Sequence, residues 1–186
     1  ALARLANVAG TKAVVMLADQ LRIRPATLED VDVLTKFSAA MALETEQRTL
    51  DLARLRLATR AVIEQPERGQ YYVADLHREA LPDRVIVGQL LITYEWSDWR
   101  NAQFWWIQSV FVAPAWRRQG IYRAMHRHII DLARSRTDIC GVRLYVEGDN
   151  TVAKRVYERV GLSPSAYRIY ESDFVMPQSH VAGNNS

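Results

Sequence analysis

The segment from Arg117 to Tyr122 has residue types and spacing that suit the binding of an anion. Its arginines and Gly120 lie between a β-branched and aromatic run that ends at Pro114 and a helical pattern. The first turn of a helix carries unpaired N–H donors and a partial positive charge, and a glycine lets a ligand approach the backbone closely. The segment therefore predicts a site for an anionic, phosphate-bearing ligand, with a solvated basic turn as the alternative.

A second group of residues opens a helix directly after a predicted strand. Asn150 occupies an N-cap position, and Ala153 and Tyr157 are four residues apart, so they lie on one helix face. Gly161 follows where a helix is expected to end. Taken alone, Asn150 is a helix cap and Tyr157 is a core aromatic residue whose hydroxyl finds a partner.

Composition and charge restrict the class of protein. The chain has 186 residues, of which 49% are hydrophobic and 24% charged, which predicts one soluble globular domain with a substantial core. No apolar run is long enough to span a bilayer. The net charge is +3, and seven arginines lie between Arg117 and Arg143. This local basic field suits a polyanionic small ligand better than a nucleic acid.

The single cysteine, Cys140, rules out an intramolecular disulfide and favours a reducing cytoplasm. No His/Cys cluster has the spacing of metal ligands, so no metal is expected.

Hydrophobic periodicity predicts the elements that must position these residues. Strands are predicted over Leu21–Pro25, Tyr71–Leu76, Val85–Tyr94, Ala102–Val112, Val142–Glu147 and Tyr167–Val175, and helices over Val31–Met41, Leu50–Ile63, Arg118–Arg134 and Thr151–Val160. Thr27 and Asp30 form a capping-box pattern before the first helix. We therefore expect a single α/β (α+β) domain with a mixed sheet of about six to seven strands flanked by about four helices.

The ends of the chain are expected to lie outside this domain. Residues 1–20 are rich in alanine and precede the first strand pattern, so we interpret them as an N-terminal extension. Residues 21–176 form the predicted domain, and the polar residues 177–186 are predicted to be a flexible tail.

The two groups of residues, in this order, resemble the GNAT superfamily of N-acetyltransferases. The family's loop pattern is Arg or Gln, two variable residues, Gly, one variable residue, and Gly or Ala, and it corresponds here to residues 117–122. The family's later element is matched in full by Asn150, Ala153, Tyr157, Gly161 and Leu162. The resemblance covers residues 21–175, and residues 41–46, 94–99 and 105–110 look like one bacterial branch of the superfamily.

The resemblance implies a site for acetyl-coenzyme A. Backbone N–H groups from Arg118 to Tyr122 would hold the pyrophosphate, and the main chain of Val110 to Val112 would pair with the pantetheine arm and polarise the thioester carbonyl. Asn150 would bind the pantetheine, and Tyr157 would protonate the departing thiolate. The implied cofactor residues are Val110, Phe111, Val112, Arg117, Arg118, Gln119, Gly120, Ile121, Tyr122, Asn150 and Tyr157.

Two positions depart from the family's pattern. Tyr122 stands where the family has Gly or Ala, so its side chain must point away from the phosphates. Trp106 stands where some relatives place a glutamate that acts as the general base. The base must then come from elsewhere in this chain.

Four acidic residues are candidates for that base: Glu44, Glu46, Glu95 and Asp98. Glu44 and Glu46 follow the first helix, a region that lines the acceptor site in the family, and two carboxylates there would suit a cationic amine. The alternative is that both are solvated loop acids and that Glu95 is a charge at a hairpin edge.

The predicted function is transfer of an acetyl group from acetyl-coenzyme A to a primary amine of a small molecule. A protein N-terminus or lysine side chain is the alternative acceptor, and a non-catalytic coenzyme A-binding module is the alternative class. We expect no nucleic-acid or membrane partner. Tryptophans near the predicted hairpin, including Trp96 and Trp99, suggest a homodimer contact.

Overall fold

The computed structural model describes residues 21–77, 85–170, 172, 174 and 175, and its centre is a mixed five-stranded sheet. The strands lie side by side in chain order. They are β1 (Leu21–Pro25), β2 (Gln70–Leu76), β3 (Val85–Ser97), β4 (Ala102–Val112) and β5 (Ile139–Leu144). Neighbouring strands from β1 to β4 are antiparallel, and β4 and β5 are parallel. This confirms the predicted mixed sheet.

Four α-helices accompany the sheet in the described part of the chain: α1 (Val31–Glu46), α2 (Leu52–Glu64), α3 (Ile121–Arg134) and α4 (Thr151–Arg159). The fold divides into two compact units between Asn150 and Thr151, so the sheet and the first three helices belong to one unit and α4 to the other. No helix in the described ranges is long and apolar enough to cross a bilayer.

A buried ion-pair network fixes where α1 begins. The Asp30 carboxylate accepts hydrogen bonds from the Thr27 backbone N–H (2.8 Å) and from the Arg24 guanidinium (2.8 Å), and Arg24 also reaches Asp75 on β2 (2.9 Å). Burial favours the neutral acid, but the bonds from Arg24 and Thr27 outweigh it and lower the pKa of Asp30. The predicted capping pattern at Thr27 is therefore part of a link between β1, β2 and α1.

The two faces of the sheet carry different cores. One face packs against α3 through Ile121, Met125 and Ile129, which are almost fully buried. The other face forms a smaller cluster in which Leu34 of α1 packs near Tyr71 on β2. Layers on both faces are typical of an α/β domain.

Among the described residues, the end of β4 has no partner strand on its β5 side. The parallel register runs from Gln103 opposite Ile139 to Ile107 opposite Leu144, while β4 continues to Val112. A bulge accompanies this change, because Leu91 faces Ser109 but Ile92 faces Ile107. We call residues 108–112 the β4 overhang. Its β5 side is the place where the sheet opens.

The structure shifts some predicted boundaries. Helix α3 begins at Ile121 and not at Arg118, because Arg118 (φ 61°) and Gly120 (φ 84°) adopt left-handed conformations that a right-handed helix does not contain. Helix α2 begins two residues later than predicted, because Asp51 acts as its cap. Strand β5 begins and ends earlier than the predicted Val142–Glu147.

The sixth predicted strand, over Tyr167–Val175, is not formed among the described residues of that segment. Its apolar side chains are exposed there, Tyr170 and Phe174 almost completely. The segment is rich in aromatic side chains, but a strand also needs a neighbouring strand to pair with, and composition alone does not supply one. The extension predicted over residues 1–20 and the tail predicted over 177–186 lie outside the described residues, so those two interpretations stay predictions.

Candidate active site

The turn between β4 and α3 leaves space beside the backbone at Gly120. Gly120 is the N-cap of α3, and the first intrahelical hydrogen bond runs from Ala124 N–H to Gly120 O (2.9 Å). The N–H groups of Gln119, Gly120 and Ile121 precede that bond. A Cβ atom built on Gly120 would meet no described heavy atom within 4 Å. An anion can therefore approach this helix start closely.

The Arg117 side chain is directed toward the end of the sheet. Its Nε donates to Val112 O (2.9 Å), its Nη2 donates to Glu44 Oε2 (2.6 Å), and its guanidinium lies 5.3 Å from the Phe111 ring centroid. Phe111 in turn packs against Phe37 of α1, with ring centroids 5.2 Å apart. Arg117 thus connects the β4 overhang, the turn at Gly120 and the last turn of α1.

Tyr122 shows how a large residue fits at the position where the family has Gly or Ala. Its ring is half-buried and lies 5.9 Å from the ring of His126, one turn further along α3. Ile121 beside it is buried in the core and anchors the helix start. His126 is buried, and this burial lowers the pKa of its imidazole.

Glu95 lies on the sheet close to Trp106, the residue that replaces the family's glutamate. Glu95 Oε2 accepts a hydrogen bond from the Trp106 indole Nε1, and Oε1 accepts one from Arg143 Nη1 (2.8 Å). Trp106 is opposite Arg143 in the β4–β5 register and stacks on Tyr145 with ring centroids 4.2 Å apart. A carboxylate is thus present beside the position that the β4 sequence leaves without one.

The other three acidic candidates lie in different surroundings. Glu44 is paired with Arg117. Glu46 is 62% exposed and lies 3.7 Å from Arg48, a loose surface pair. Asp98 is in the β3–β4 turn, where its side chain accepts from Trp99 N–H (2.9 Å). The structure therefore separates the four acids instead of gathering them in one pocket.

Asn150 directly precedes α4, and Tyr157 lies within this helix. Asn150 N–H donates to Glu147 O (3.2 Å) in a turn that directly precedes α4. At the other end of this helix Gly161 has φ 93°, and Leu162 N–H donates to Tyr157 O (3.0 Å), which confirms the predicted glycine stop. Tyr157 is half-buried, and burial raises the pKa of its hydroxyl.

Sequence reasoning missed Arg143. The residue is on β5, and its contact with Glu95 depends on the parallel β4–β5 register, which no local pattern encodes. The sequence holds only a weak indication, a lone arginine within an apolar strand. Across the described ranges no group of three or more His, Cys, Asp and Glu side chains could hold a metal ion.

Comparisons with known proteins agree with this geometry. The model of the Acetyltransferase (GNAT) family matches residues 38–162, which include the β4 overhang, the Gly120 turn and α4. A possible acetyltransferase from Clostridium difficile 630 is 36% identical, with a TM-score of 0.76, over 84% of this chain and 99% of that one. No curated protein matches the chain.

Two further solved structures are similar in fold. A probable acetyltransferase is 22% identical, with a TM-score of 0.70, over 84% of this chain and 99% of that one. An aminoglycoside N-acetyltransferase in complex with CoA is 10% identical, with a TM-score of 0.65, over 83% of this chain and 95% of that one.

Proposed function

This chain belongs to the GNAT acetyltransferase family and is therefore a transferase, and we propose that it moves an acetyl group from acetyl-coenzyme A to a primary amine of a small molecule. The observation that carries the proposal is the turn at Gly120, where a helix begins after the β4 overhang and a Cβ atom on the glycine would meet no described heavy atom within 4 Å. A polyanionic ligand with a long polar arm suits both features at once.

The residues of the two motifs have different roles in the proposed cofactor site. Backbone N–H groups from Arg118 to Tyr122 bind the pyrophosphate, and the main chain of the β4 overhang pairs with the pantetheine arm. The open space at Gly120 fits such a group, and the similar fold that was solved with CoA supports the assignment. Arg117 holds this site in shape, because its donors already reach Val112 and Glu44. Asn150 is proposed as a pantetheine ligand by its motif position.

We assign the general base to Glu95. An ammonium group must lose a proton before its nitrogen can attack, and a carboxylate can take that proton directly or through one water molecule. Glu95 is the candidate whose carboxylate contacts Trp106, two positions before the β4 overhang. Glu44 acts instead as a positioning residue for Arg117, and Glu46 remains a solvated acid in this assignment.

We assign the general acid to Tyr157. Burial raises the pKa of this hydroxyl, so it stays protonated at neutral pH and is able to donate. The amine nitrogen attacks the acyl carbon, the carbon–sulfur bond breaks, and the sulfur takes the tyrosine proton. The nitrogen then loses its second proton, which passes through water to the tyrosine oxygen and leaves a neutral amide. No covalent bond to the enzyme forms in this sequence.

We also propose a cytoplasmic location and a homodimer. The single cysteine, Cys140, suits a reducing compartment. Trp96 is 59% exposed and Trp99 is 85% exposed at the β3–β4 hairpin, and large aromatic residues at a surface commonly mark a contact between subunits.

The test is release of free thiol from acetyl-coenzyme A by the purified protein with a panel of primary amines. We expect release above the hydrolysis background with one class of amine. Release only with peptides that have a free N-terminus or lysine would move the acceptor to proteins. No release with any amine or peptide would contradict the proposed transfer.

Calorimetric titration with acetyl-coenzyme A tests the cofactor site separately. Gly120→Glu is expected to abolish binding, because it brings bulk and negative charge to the phosphate position and strains a backbone with φ 84°. Ser135→Glu, which adds the same charge at the opposite end of α3, is the control. Unchanged affinity in Gly120→Glu would defeat the assignment of this turn.

A further inference from the structure

An ion pair lies on the sheet where β4 and β5 separate. Glu95 and Arg143 are joined at 2.8 Å, and their side chains are 41% and 32% exposed. Arg143 is opposite Trp106, one position before the last β4–β5 pair, Ile107 with Leu144. The β4 overhang begins directly after this point. A molecule that approaches the overhang from this side therefore meets a paired carboxylate and guanidinium, and not an open acidic pocket.

The Arg143 guanidinium is held in a fixed orientation with donors to spare. Its face lies 3.6 Å from the Phe104 ring centroid, and Nη1 donates to Glu95. Among the described residues, its Nε and Nη2 have no hydrogen-bond acceptor. Arg100 lies 5.1 Å from the same ring and adds positive charge nearby. An oriented guanidinium with unused donors is suited to a carboxylate, which it binds with two parallel bonds.

We infer that the acceptor is a zwitterion, an amine that carries a carboxylate close to its amino group, as an amino acid does. This inference rests on the proposed transfer and names its substrate class. The acceptor's ammonium faces Glu95, and its carboxylate faces Arg143, so each charge of the acceptor meets its opposite. A polyamine would find Glu95 already neutralised and two guanidinium groups beside it, which opposes its binding.

The same contacts prepare Glu95 for its role as base. When the acceptor's carboxylate binds Nε and Nη2 of Arg143, it shares the positive charge that otherwise stabilises the Glu95 carboxylate alone, so Glu95 becomes a stronger base. Glu95 then accepts the proton that leaves the ammonium, and the nitrogen lone pair attacks the acyl carbon. The carbon–sulfur bond breaks as the thiolate takes the Tyr157 proton, and the second proton of the nitrogen passes through water to the Tyr157 oxygen, which leaves a neutral amide. The stacked rings of Trp106 and Tyr145 offer a flat surface for the apolar part of the acceptor.

The experiment compares amino acids with their amides, which keep the amine and lose the carboxylate. The wild-type enzyme is expected to prefer the amino acid in kcat/KM. Arg143→Gln is expected to lower kcat/KM for the amino acid by about 10- to 100-fold, mainly through KM, because a hydrogen-bonded charge pair is lost. The amide is expected to change by less than about threefold.

Two variants serve as comparisons. Arg143→Lys keeps the charge and loses the two-pronged geometry, so it is expected to restore part of the amino acid preference. Arg60→Gln removes an arginine from the surface pair with Glu64 on α2 and is the matched control. Circular dichroism confirms that each variant is folded before its kinetics are compared.

Equal loss for amino acids and amides in Arg143→Gln would reduce Arg143 to a structural role and overturn the inference. Equal use of both acceptors by the wild-type enzyme, or a preference for polyamines, would overturn it while leaving the proposed transfer intact. Binding of the amino acid in the presence of free coenzyme A is measured in parallel. If no acceptor is turned over, the proposed acetyl transfer is contradicted. If the amino acid then binds wild type and Arg143→Gln with equal affinity, the inference of a zwitterionic acceptor is contradicted as well.

Discussion

In the proposed mechanism, the Tyr157 hydroxyl gives its proton to the sulfur of coenzyme A as the carbon–sulfur bond breaks. Tyr157→Phe removes the proton donor and preserves the ring, so kcat is expected to fall by about 10- to 100-fold with little change in acetyl-coenzyme A affinity. Because burial raises the pKa of this hydroxyl, alkaline loss of wild-type activity through this group is expected only above the ordinary tyrosine value of about 10. Steady-state rates across pH measure both effects.

Tyr167→Phe is the matched control, since Tyr167 is an exposed tyrosine of the same compact unit. A Tyr157→Phe enzyme with an unaltered rate at saturating acetyl-coenzyme A would remove this residue as the acid and leave a water molecule as the donor.

Individual motif residues were predictable from sequence, but their partners were not. Gly120 was identified because a glycine lets a ligand approach the backbone, and Gly161 because glycine commonly ends a helix; both have positive φ. The bond between Glu44 and Arg117 joins residues 73 positions apart and depends on how α1 packs beside β4. From its charge alone, Glu44 was predicted to lie near the acceptor amine, whereas in the structure it pairs with Arg117.

Among the elements, α2 illustrates how one side chain fixes a boundary. Asp51 Oδ1 accepts hydrogen bonds from the N–H groups of Ala53 (2.9 Å) and Arg54 (3.2 Å), so the helix begins at Leu52. Asp51→Ala is expected to lower the free energy of unfolding by about 1 kcal/mol, because two donors lose their acceptor. Urea denaturation followed by circular dichroism measures the change.

Asp51→Asn is the comparison variant, since its amide oxygen is also able to cap the helix and most of the stability is expected to remain. If Asn and Ala variants lost the same stability, the cap would not be the cause.

Periodic patterns predicted the helices and five strands, because each of these elements buries one face. The helical spacing of α1 and α2 and the apolar runs of β2 to β4 reflect contacts with the two cores. The sixth predicted strand is not formed among the described residues, where Tyr167, Ile169 and Phe174 remain exposed. The β4–β5 register, which creates the Glu95–Arg143 pair, arises from tertiary packing that a single sequence does not reveal.

For the whole molecule, buried His126 predicts a dependence of stability on pH. Burial lowers the pKa of its imidazole in the folded state, so the unfolded chain binds more protons below the ordinary histidine value of about 6.5. The free energy of unfolding is therefore expected to fall as the pH drops below that value. His126→Leu, which has no proton to gain, is expected to lose less stability between pH 7.5 and pH 5.5.

His77→Gln is the control, because it removes an exposed imidazole just beyond β2 and leaves the core intact. Equal slopes of stability against pH in wild type and His126→Leu would show that His126 does not set the acid sensitivity. Asp30 adds a separate loss at lower pH, since its pKa is lowered in the folded state.

The contact from Arg117 to Glu44 has an energetic consequence that extends beyond either residue. It makes the last turn of α1 and the loop before α3 parts of one bonded unit. Any molecule that displaces Glu44 alters the free energy with which that loop binds its own ligand. Thermodynamic linkage requires each of the two ligands to change the affinity of the other by the same factor.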